Sequence, residues 1–202
     1  MVDAQNFLDK FIIQAHSGSL KTSEYPKDFL DLKMKVSFGQ GGRARVPWIS
    51  FTAPEMSVSN GYYPVYLYYR ELNILILSFG LSETFEYGDA WPLEIISDKI
   101  KISDFIPNPP RYGSSYVFKS YIPKITDGKV SYLSDGAEVS NQFLNSSLVE
   151  LINLYKKSVD LEVKKETSVV STGLFYMEKQ LEDFIIANWD KTELGMLICI
   201  QN

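Results

Sequence analysis

The chain has 202 residues, of which 45% are hydrophobic and 22% charged, a composition typical of one globular domain with a small appendage. No apolar run approaches the ~18 residues needed to cross a bilayer, and the first residues lack the layout of a signal peptide. With one histidine and one cysteine, the chain cannot build a Cys/His zinc site or an internal disulfide, so we expect a cytoplasmic protein.

The net charge is −5, but the charges are unevenly distributed. Residues 32–54 contain four basic residues and no acid, residues 105–126 contain three and no acid, and the rest of the chain therefore carries −12. Two basic stretches on an acidic body are compatible with one basic face, as in many nucleic-acid-binding proteins. They are equally compatible with ordinary charge variation among strands and loops, so charge alone does not decide.

Hydrophobic periodicity predicts a helix and then a hairpin at the start of the chain. Apolar side chains recur at helical spacing after Asp3, which can cap the helix; they are Phe7, Leu8, Phe11, Ile12 and Ala15. Residues 32–38 alternate apolar with polar side chains, which predicts a half-buried strand with Lys33 and Lys35 on its open face. Residues 46–51 form the returning strand, so the glycine-rich residues 39–45 are the connecting loop.

The pattern continues with a second hairpin and an irregular middle. Residues 65–69 and 74–79 are predicted strands, and the second of them is buried on both faces. Prolines interrupt residues 82–110, which we expect to be extended and exposed. Further predicted elements are strands at residues 116–121 and 129–133, and a long closing helix with apolar positions between residues 143 and 155.

We therefore expect an α+β fold over residues 1–157, with a mostly antiparallel sheet and flanking helices. Residues 158–173 are polar without helical periodicity and are predicted to form a linker. Residues 174–202 form a C-terminal tail that begins with a helix over residues 174–188.

Four short motifs stand in the first three quarters of the chain. They are SFGQG at residues 37–41, VPWISF at residues 46–51, NGYYPVYLYY at residues 60–69 and RYGSSY at residues 111–116. In order and spacing they resemble the N-terminal DNA-binding domain of the McrB family (MrcB-like N-terminal domain) of methylcytosine-directed restriction systems, over residues 1–157. The resemblance implies an α+β domain that binds duplex DNA at a modified cytosine and rotates that base into a pocket.

The same resemblance implies which residues form the pocket. Trp48 and Tyr112 match the family's pocket tryptophan and tyrosine, so we expect their rings to sandwich the flipped pyrimidine. Leu67 matches the aliphatic residue that meets the 5-position substituent. Stacking contributes about 1–3 kcal/mol per base, which offsets the few kcal/mol that extrusion costs. The alternative, that these residues belong to the core or to turns, applies most to Leu67.

The expected DNA contacts surround this pocket. Gln40 stands where the family can place a tyrosine that wedges into the duplex, and an amide can hydrogen-bond to the orphaned base but cannot stack as a ring does. The other expected contacts are Lys33, Lys35, Arg43, Arg45, Arg111 and Ser114. The alternative for the arginines of the loop is that they are simply solvated. We expect no catalytic residue, metal ligand or cofactor on this chain.

The C-terminal tail leaves a second function open. Residues 176–189 resemble the opening helix of PD-(D/E)xK nuclease domains, but the acid and acid-x-lysine that would hold a divalent metal do not follow before residue 202. Residues 162–164, Glu-Val-Lys, imitate that triplet in the predicted linker without a partner acid.

The leading hypothesis is a non-catalytic reader of modified cytosine. Its partners would be duplex DNA and, for cleavage, a nuclease or GTPase motor subunit, with no membrane involved. One alternative is a truncated, Mg²⁺-dependent restriction endonuclease whose catalytic domain begins near residue 174. Another is a protein-interaction domain whose aromatic residues are core.

Overall fold

The computed structural model of the protein describes residues 4–54, 56–59, 61–83 and 91–159. The chain divides into two units, Met1–Ser158 and Val159–Asn202, and the sheet described below belongs to the first. Asp3, the linker from residue 160 onward and the predicted C-terminal helix lie outside the described residues, so those assignments stay predictions. Within the described ranges, no helix is long and apolar enough to cross a membrane.

Eight strands form one antiparallel sheet in which the order of the strands follows the chain. They are β1 (Asp28–Phe29), β2 (Leu32–Ser37), β3 (Trp48–Thr52), β4 (Tyr62–Tyr69), β5 (Ile74–Leu81), β6 (Tyr116–Thr126), β7 (Lys129–Ser134) and β8 (Ala137–Glu138). The predicted α+β fold is confirmed. Alternating or continuous apolar patterns located the six longer strands, whereas the two-residue strands at the sheet edges are too short to produce a pattern.

The helices lie at the start, in the middle and at the end of the described chain. They are α1 (Ala4–Ser17), α2 (Leu93–Ile96), α3 (Ile102–Phe105) and α4 (residues 141–159), and a 3-10 turn at Arg70–Leu72 joins β4 to β5. The one-turn helices α2 and α3 lie within residues 82–110, and Trp91 and Ile102 of this segment are buried, so the prediction that the segment is extended and exposed is wrong for them. Helix α4 continues two residues beyond Lys157, the predicted end of the domain.

The two long helices cover one face of the sheet. All five apolar residues predicted for the first helix are buried, and the Phe7 ring of α1 lies 6.2 Å from the Phe51 ring of β3. At the other end, the Tyr155 ring of α4 meets the Tyr62 ring of β4 edge-on at 5.7 Å. This face forms the aromatic core of the domain.

A loop crosses the opposite face of the same strands. Because side chains alternate along a strand, Trp48 and its cross-strand partner Leu67 are directed away from the helices. The segment after α3 crosses this face, since the Tyr69 hydroxyl donates to the Arg111 carbonyl oxygen at 2.8 Å. Between that segment and the strands lies a cavity.

Candidate functional site

The cavity has a volume of about 310 Å³ and is open to solvent on one side. That volume lies at the lower end of the range for small-molecule pockets, ~300–1,000 Å³. Trp48, Leu67 and Tyr112 all line it, together with Gln40 and Arg111 from the predicted contact set. Residues up to 72 positions apart in the chain, predicted from separate motifs, are thus brought to one cavity.

Strands β3 and β4 supply the apolar wall of the cavity. Trp48 is partly exposed, whereas Leu67 is 1% exposed. Val65 and Tyr63 lie two and four positions before Leu67 in β4 and also line the cavity. The period of two along a strand could have predicted their placement. The Tyr63 hydroxyl donates to the Val58 carbonyl oxygen at 2.9 Å. Burial raises the pKa of Tyr63, so its hydroxyl stays a donor at neutral pH.

Gly80 of β5 lies beside this wall, paired with Tyr63 of β4, and is part of the lining. A Cβ atom at this position would lie 2.6 Å from Cγ1 of Val65 and 2.7 Å from the Tyr63 carbonyl oxygen. No larger residue fits without a shift of β4, because one of those atoms is backbone. The absence of a side chain here also keeps that part of the cavity empty.

Tyr112 forms the opposite wall in an unusual backbone conformation, with φ at +63°. Its N–H donates to Oε1 of Glu83 at 2.6 Å, and the Arg111 guanidinium carbon lies 4.7 Å from the centre of its ring. Burial raises the pKa of Tyr112, against the opposing effects of the Arg111 charge and a hydrogen bond from Trp48. A left-handed tyrosine held by these contacts is the kind of local strain that binding sites retain.

Arg111 is paired with Glu83 at the rim of the cavity. Its Nε and Nη2 atoms donate to Oε2 of Glu83 at 2.8 and 2.6 Å. Burial lowers the pKa of Arg111, but the hydrogen bonds to Glu83 and the electrostatic effects of Tyr112, Glu83 and Tyr63 together outweigh burial and raise the pKa. Sequence reasoning missed Glu83, because a loop carboxylate 28 residues from its arginine leaves no local signal.

Gln40 is exposed beside the cavity opening, at the tip of the loop between β2 and β3. Gly39 has φ at +118°, and a Cβ atom there would lie 2.0 Å from the Gly42 carbonyl oxygen. The Ala44 N–H donates to the Phe38 carbonyl oxygen at 2.7 Å and closes the loop. The glycines therefore allow a tight loop that presents Gln40.

The two arginines of this loop have different environments. Nη2 of Arg43 donates to the carbonyl oxygens of Ala15 and His16 at 3.2 Å each, at the end of α1. Arg70 donates to the Ala15 oxygen as well. Arg43 therefore caps the C-terminus of α1, where a positive charge is favourable. Arg45 is exposed.

The remaining predicted contacts lie outside the cavity. Nζ of Lys33 donates to the Pro54 carbonyl oxygen. Lys35 is exposed and borders a second cavity, of about 540 Å³, which also has Trp48 in its lining. Ser114 is exposed and does not line the first cavity, whereas its buried neighbour Ser115 does and accepts a hydrogen bond from the Leu81 N–H at 3.0 Å.

In the described part of the chain, no group of three or more acidic, histidine or cysteine side chains is placed to hold a metal ion. The polar groups of the first cavity are hydroxyls, an amide, a guanidinium and one carboxylate. Such a lining can hydrogen-bond to a flat polar ligand that stacks between rings.

Fold and cavity together define an α+β binding domain with an aromatic pocket on the sheet face that the helices leave open. Residues 5–86 match the family model described as MrcB-like, N-terminal domain, and the chain carries such an McrB-like N-terminal domain.

The chain is also similar in sequence to the "Type IV methyl-directed restriction enzyme EcoKMcrB subunit" of Escherichia coli (strain K12). The two sequences are 30% identical over 191 residues, which is 92% of this chain and 39% of that protein. The chain therefore spans well under half the length of this relative.

Proposed function

We propose that this chain is the DNA-binding specificity module of a methyl-directed restriction system. It binds duplex DNA at a modified cytosine, takes the flipped base into the cavity between Trp48 and Tyr112, and catalyses no reaction itself. The observation that carries the proposal is that these two rings and Leu67 line one cavity of about 310 Å³. The relative's description as a methyl-directed restriction enzyme subunit supports the choice of ligand.

The cavity lining suits a flipped pyrimidine. Extrusion of a base costs a few kcal/mol of stacking and pairing. Stacking against an aromatic ring contributes about 1–3 kcal/mol per base, so stacking on the Trp48 and Tyr112 rings offsets that cost. Leu67 and Val65 supply apolar surface for a 5-methyl group, whose burial is worth about 0.8 kcal/mol.

The rim of the cavity suits the rest of the nucleic acid. Gln40 hydrogen-bonds to the base left without a partner, and the exposed Arg45 and Lys35 contact phosphates. Arg111 contacts the DNA at the cavity mouth while it remains ion-paired with Glu83. Lys33 and Ser114 add contacts further out, and Arg43 supports the loop from behind through α1.

Cleavage of DNA in such a system requires polypeptide segments other than this domain. A nuclease or a GTPase motor, on a partner subunit or on further residues of the protein, would supply it. The present domain would then recognise the modified site, and the other component would cleave the DNA.

Equilibrium binding to matched duplexes tests the proposal. One duplex carries a central 5-methylcytosine and the other a plain cytosine, and both are measured by gel shift at two salt concentrations. Affinity for both should fall with salt because phosphate contacts release counterions. The plain duplex should lose more, so the preference for the modified one widens. Equal binding of the two duplexes at every salt concentration would exclude the proposal.

Extrusion of the base is tested separately. An abasic site opposite the modified cytosine removes its pairing and so lowers the cost of opening, and it should tighten binding if the base is flipped. A 2-aminopurine placed beside the modified cytosine should brighten on binding, because it loses a stacking neighbour. A protein that prefers modified DNA but shows neither effect reads the methyl group in the intact major groove instead.

A further inference from the structure

In the part of the chain that the structure describes, three hydrogen bonds reach the Glu83 carboxylate and leave one acceptor position on it. An ionised carboxylate offers about four lone-pair positions. Oε2 accepts two hydrogen bonds from Arg111, at 2.8 and 2.6 Å, and Oε1 accepts one from the Tyr112 N–H at 2.6 Å. One position on Oε1 is therefore unused by these partners, and Glu83 is itself part of the cavity lining.

We propose that Glu83 makes this pocket select cytosine over thymine, by accepting a hydrogen bond from the 4-amino group of the flipped base. The inference rests on the proposed function, which it deepens. 5-Methylcytosine and thymine carry the same methyl group on rings of the same size. At position 4 cytosine has an amino donor and thymine a carbonyl acceptor, and at the adjacent N3 cytosine has an acceptor and thymine an N–H donor.

The apolar wall cannot make this distinction. Trp48 and Tyr112 stack on any pyrimidine, and Leu67 meets the same methyl group in both bases. A discriminating side chain must therefore be polar and able only to accept. A carboxylate meets that requirement, because it pairs with the amino group of cytosine and repels the O4 atom of thymine.

The contacts of Glu83 also fix where the acceptor points. The carboxylate accepts both hydrogen bonds from Arg111 on a single oxygen, Oε2, which restricts the position of that oxygen. Its bond to the Tyr112 N–H joins the same group to the backbone of the stacking wall. The acceptor and the ring are thus held in one arrangement, so a test must separate recognition of the amino group from support of the ring.

The experiment compares two duplexes that differ only in the target base, 5-methylcytosine or thymine, each opposite an abasic site. With no partner base to release, the ratio of the two dissociation constants reports recognition in the pocket. Wild-type protein should bind the methylcytosine duplex at least ~10-fold more tightly. In Glu83→Gln the ratio should fall below about threefold, because an amide can turn either its oxygen or its NH₂ toward the base.

Arg111→Gln is the matched control for support of the ring. It breaks the ion pair but leaves the carboxylate, so it should weaken binding of both duplexes and retain most of their ratio. A ratio that survives in Glu83→Gln, or that is lost only in Arg111→Gln, would overturn the inference. A wild-type ratio near one would overturn it too.

Two further measurements separate a loss of base recognition from a loss of folding. Thermal melting shows whether Glu83→Gln is folded. If it is not folded, wild-type protein is tested with 5-methyl-2-pyrimidinone, which lacks the 4-amino group, as the target base. Retained affinity for that analogue would contradict the role of Glu83, and a loss of ~10-fold or more would support it. A wild-type protein without any preference for 5-methylcytosine over plain cytosine would refute the proposed function instead.

Discussion

Two tryptophans lie on opposite faces of the central strands and illustrate two uses of one residue type. Trp91, on the helix-covered face, is 1% exposed and lies 4.9 Å from the Phe79 ring and 5.0 Å from the Tyr62 ring. Its indole N–H donates to the Gly80 carbonyl oxygen at 3.1 Å. Trp48, on the other face, is partly exposed and borders empty space on two sides.

The difference shows that the packing around an aromatic residue, rather than the residue type, indicates whether it belongs to the core or to a binding site. Protein interiors are packed as densely as organic crystals, and a void removes the contacts that its lining would otherwise make. Trp91 is packed on every side, whereas Trp48 borders cavities and so lacks van der Waals contacts on part of its ring. A ligand with flat faces can supply those contacts.

Trp91→Ala should have the largest effect on the fold. Removal of a fully buried tryptophan costs about 3–5 kcal/mol, which in a domain of 158 residues lowers Tm by about 6–20 °C. Thermal melting monitored by circular dichroism measures it. Protein that remains folded at low temperature should keep its preference for modified DNA. Loss of that preference without loss of stability would mean that the helix-covered face takes part in binding.

Trp48→Ala should show the reverse. The lost stacking is worth about 1–3 kcal/mol, so affinity for the modified duplex should fall roughly 5- to 150-fold, with plain duplex little affected. Stability should change by about 1 kcal/mol or less, because the side chain is partly exposed. A gel-shift titration beside a melting curve separates the two. A fall in Tm as large as that of Trp91→Ala would identify Trp48 as core.

Gly80→Ala tests the residue of β5 that accepts the Trp91 hydrogen bond and also lines the cavity with Trp48. The added Cβ atom would meet Val65 and the Tyr63 backbone, so we expect an overpacking cost of about 1–3 kcal/mol. Because the same atoms line the cavity, the variant should also weaken binding of the modified duplex more than that of the plain duplex. Ser78→Ala, which changes a neighbouring buried residue of β5 outside the cavity lining, is the control. Equal effects of the two variants on binding would show that Gly80 matters only for packing.

Local patterns made much of the helix-covered face predictable. The apolar residues of α1 recur at helical spacing, and the lysines of β2 alternate with buried residues, as the structure has them. Such patterns report one element at a time. The pairing of Trp48 with Leu67 follows from two adjacent strands in a hairpin arrangement, and it was therefore within reach of the sequence.

Contacts between loops were not predictable in this way. Glu83 meets Tyr112 across 29 residues of chain, and Arg43 meets the end of α1 across 28. No periodicity links such positions, because the folded sheet brings them together. For this reason the sequence suggested the same role for Arg43 and Arg45, whereas the structure separates their environments.

The smallest expected effects come from these two arginines. Arg45→Ala removes an exposed charge, so it should weaken binding of modified and plain duplexes alike, by less than ~10-fold. It should also reduce the slope of log affinity against log salt by about 1. Arg43→Ala removes hydrogen bonds to the last carbonyls of α1. It should cost about 1 kcal/mol, or about 2–4 °C in Tm, with a smaller change of the salt slope.

Salt titrations and melting curves on both variants complete the test, with the double variant as the control for independence. If the two residues act separately, the changes in salt slope and in Tm of the double variant should each equal the sum of the changes in the two single variants. Suppose instead that Arg43→Ala lowers the salt slope as much as Arg45→Ala does and leaves Tm unchanged. The guanidinium of Arg43 would then leave α1 to contact a phosphate when DNA binds, and both arginines would belong to the DNA-contacting side of the loop.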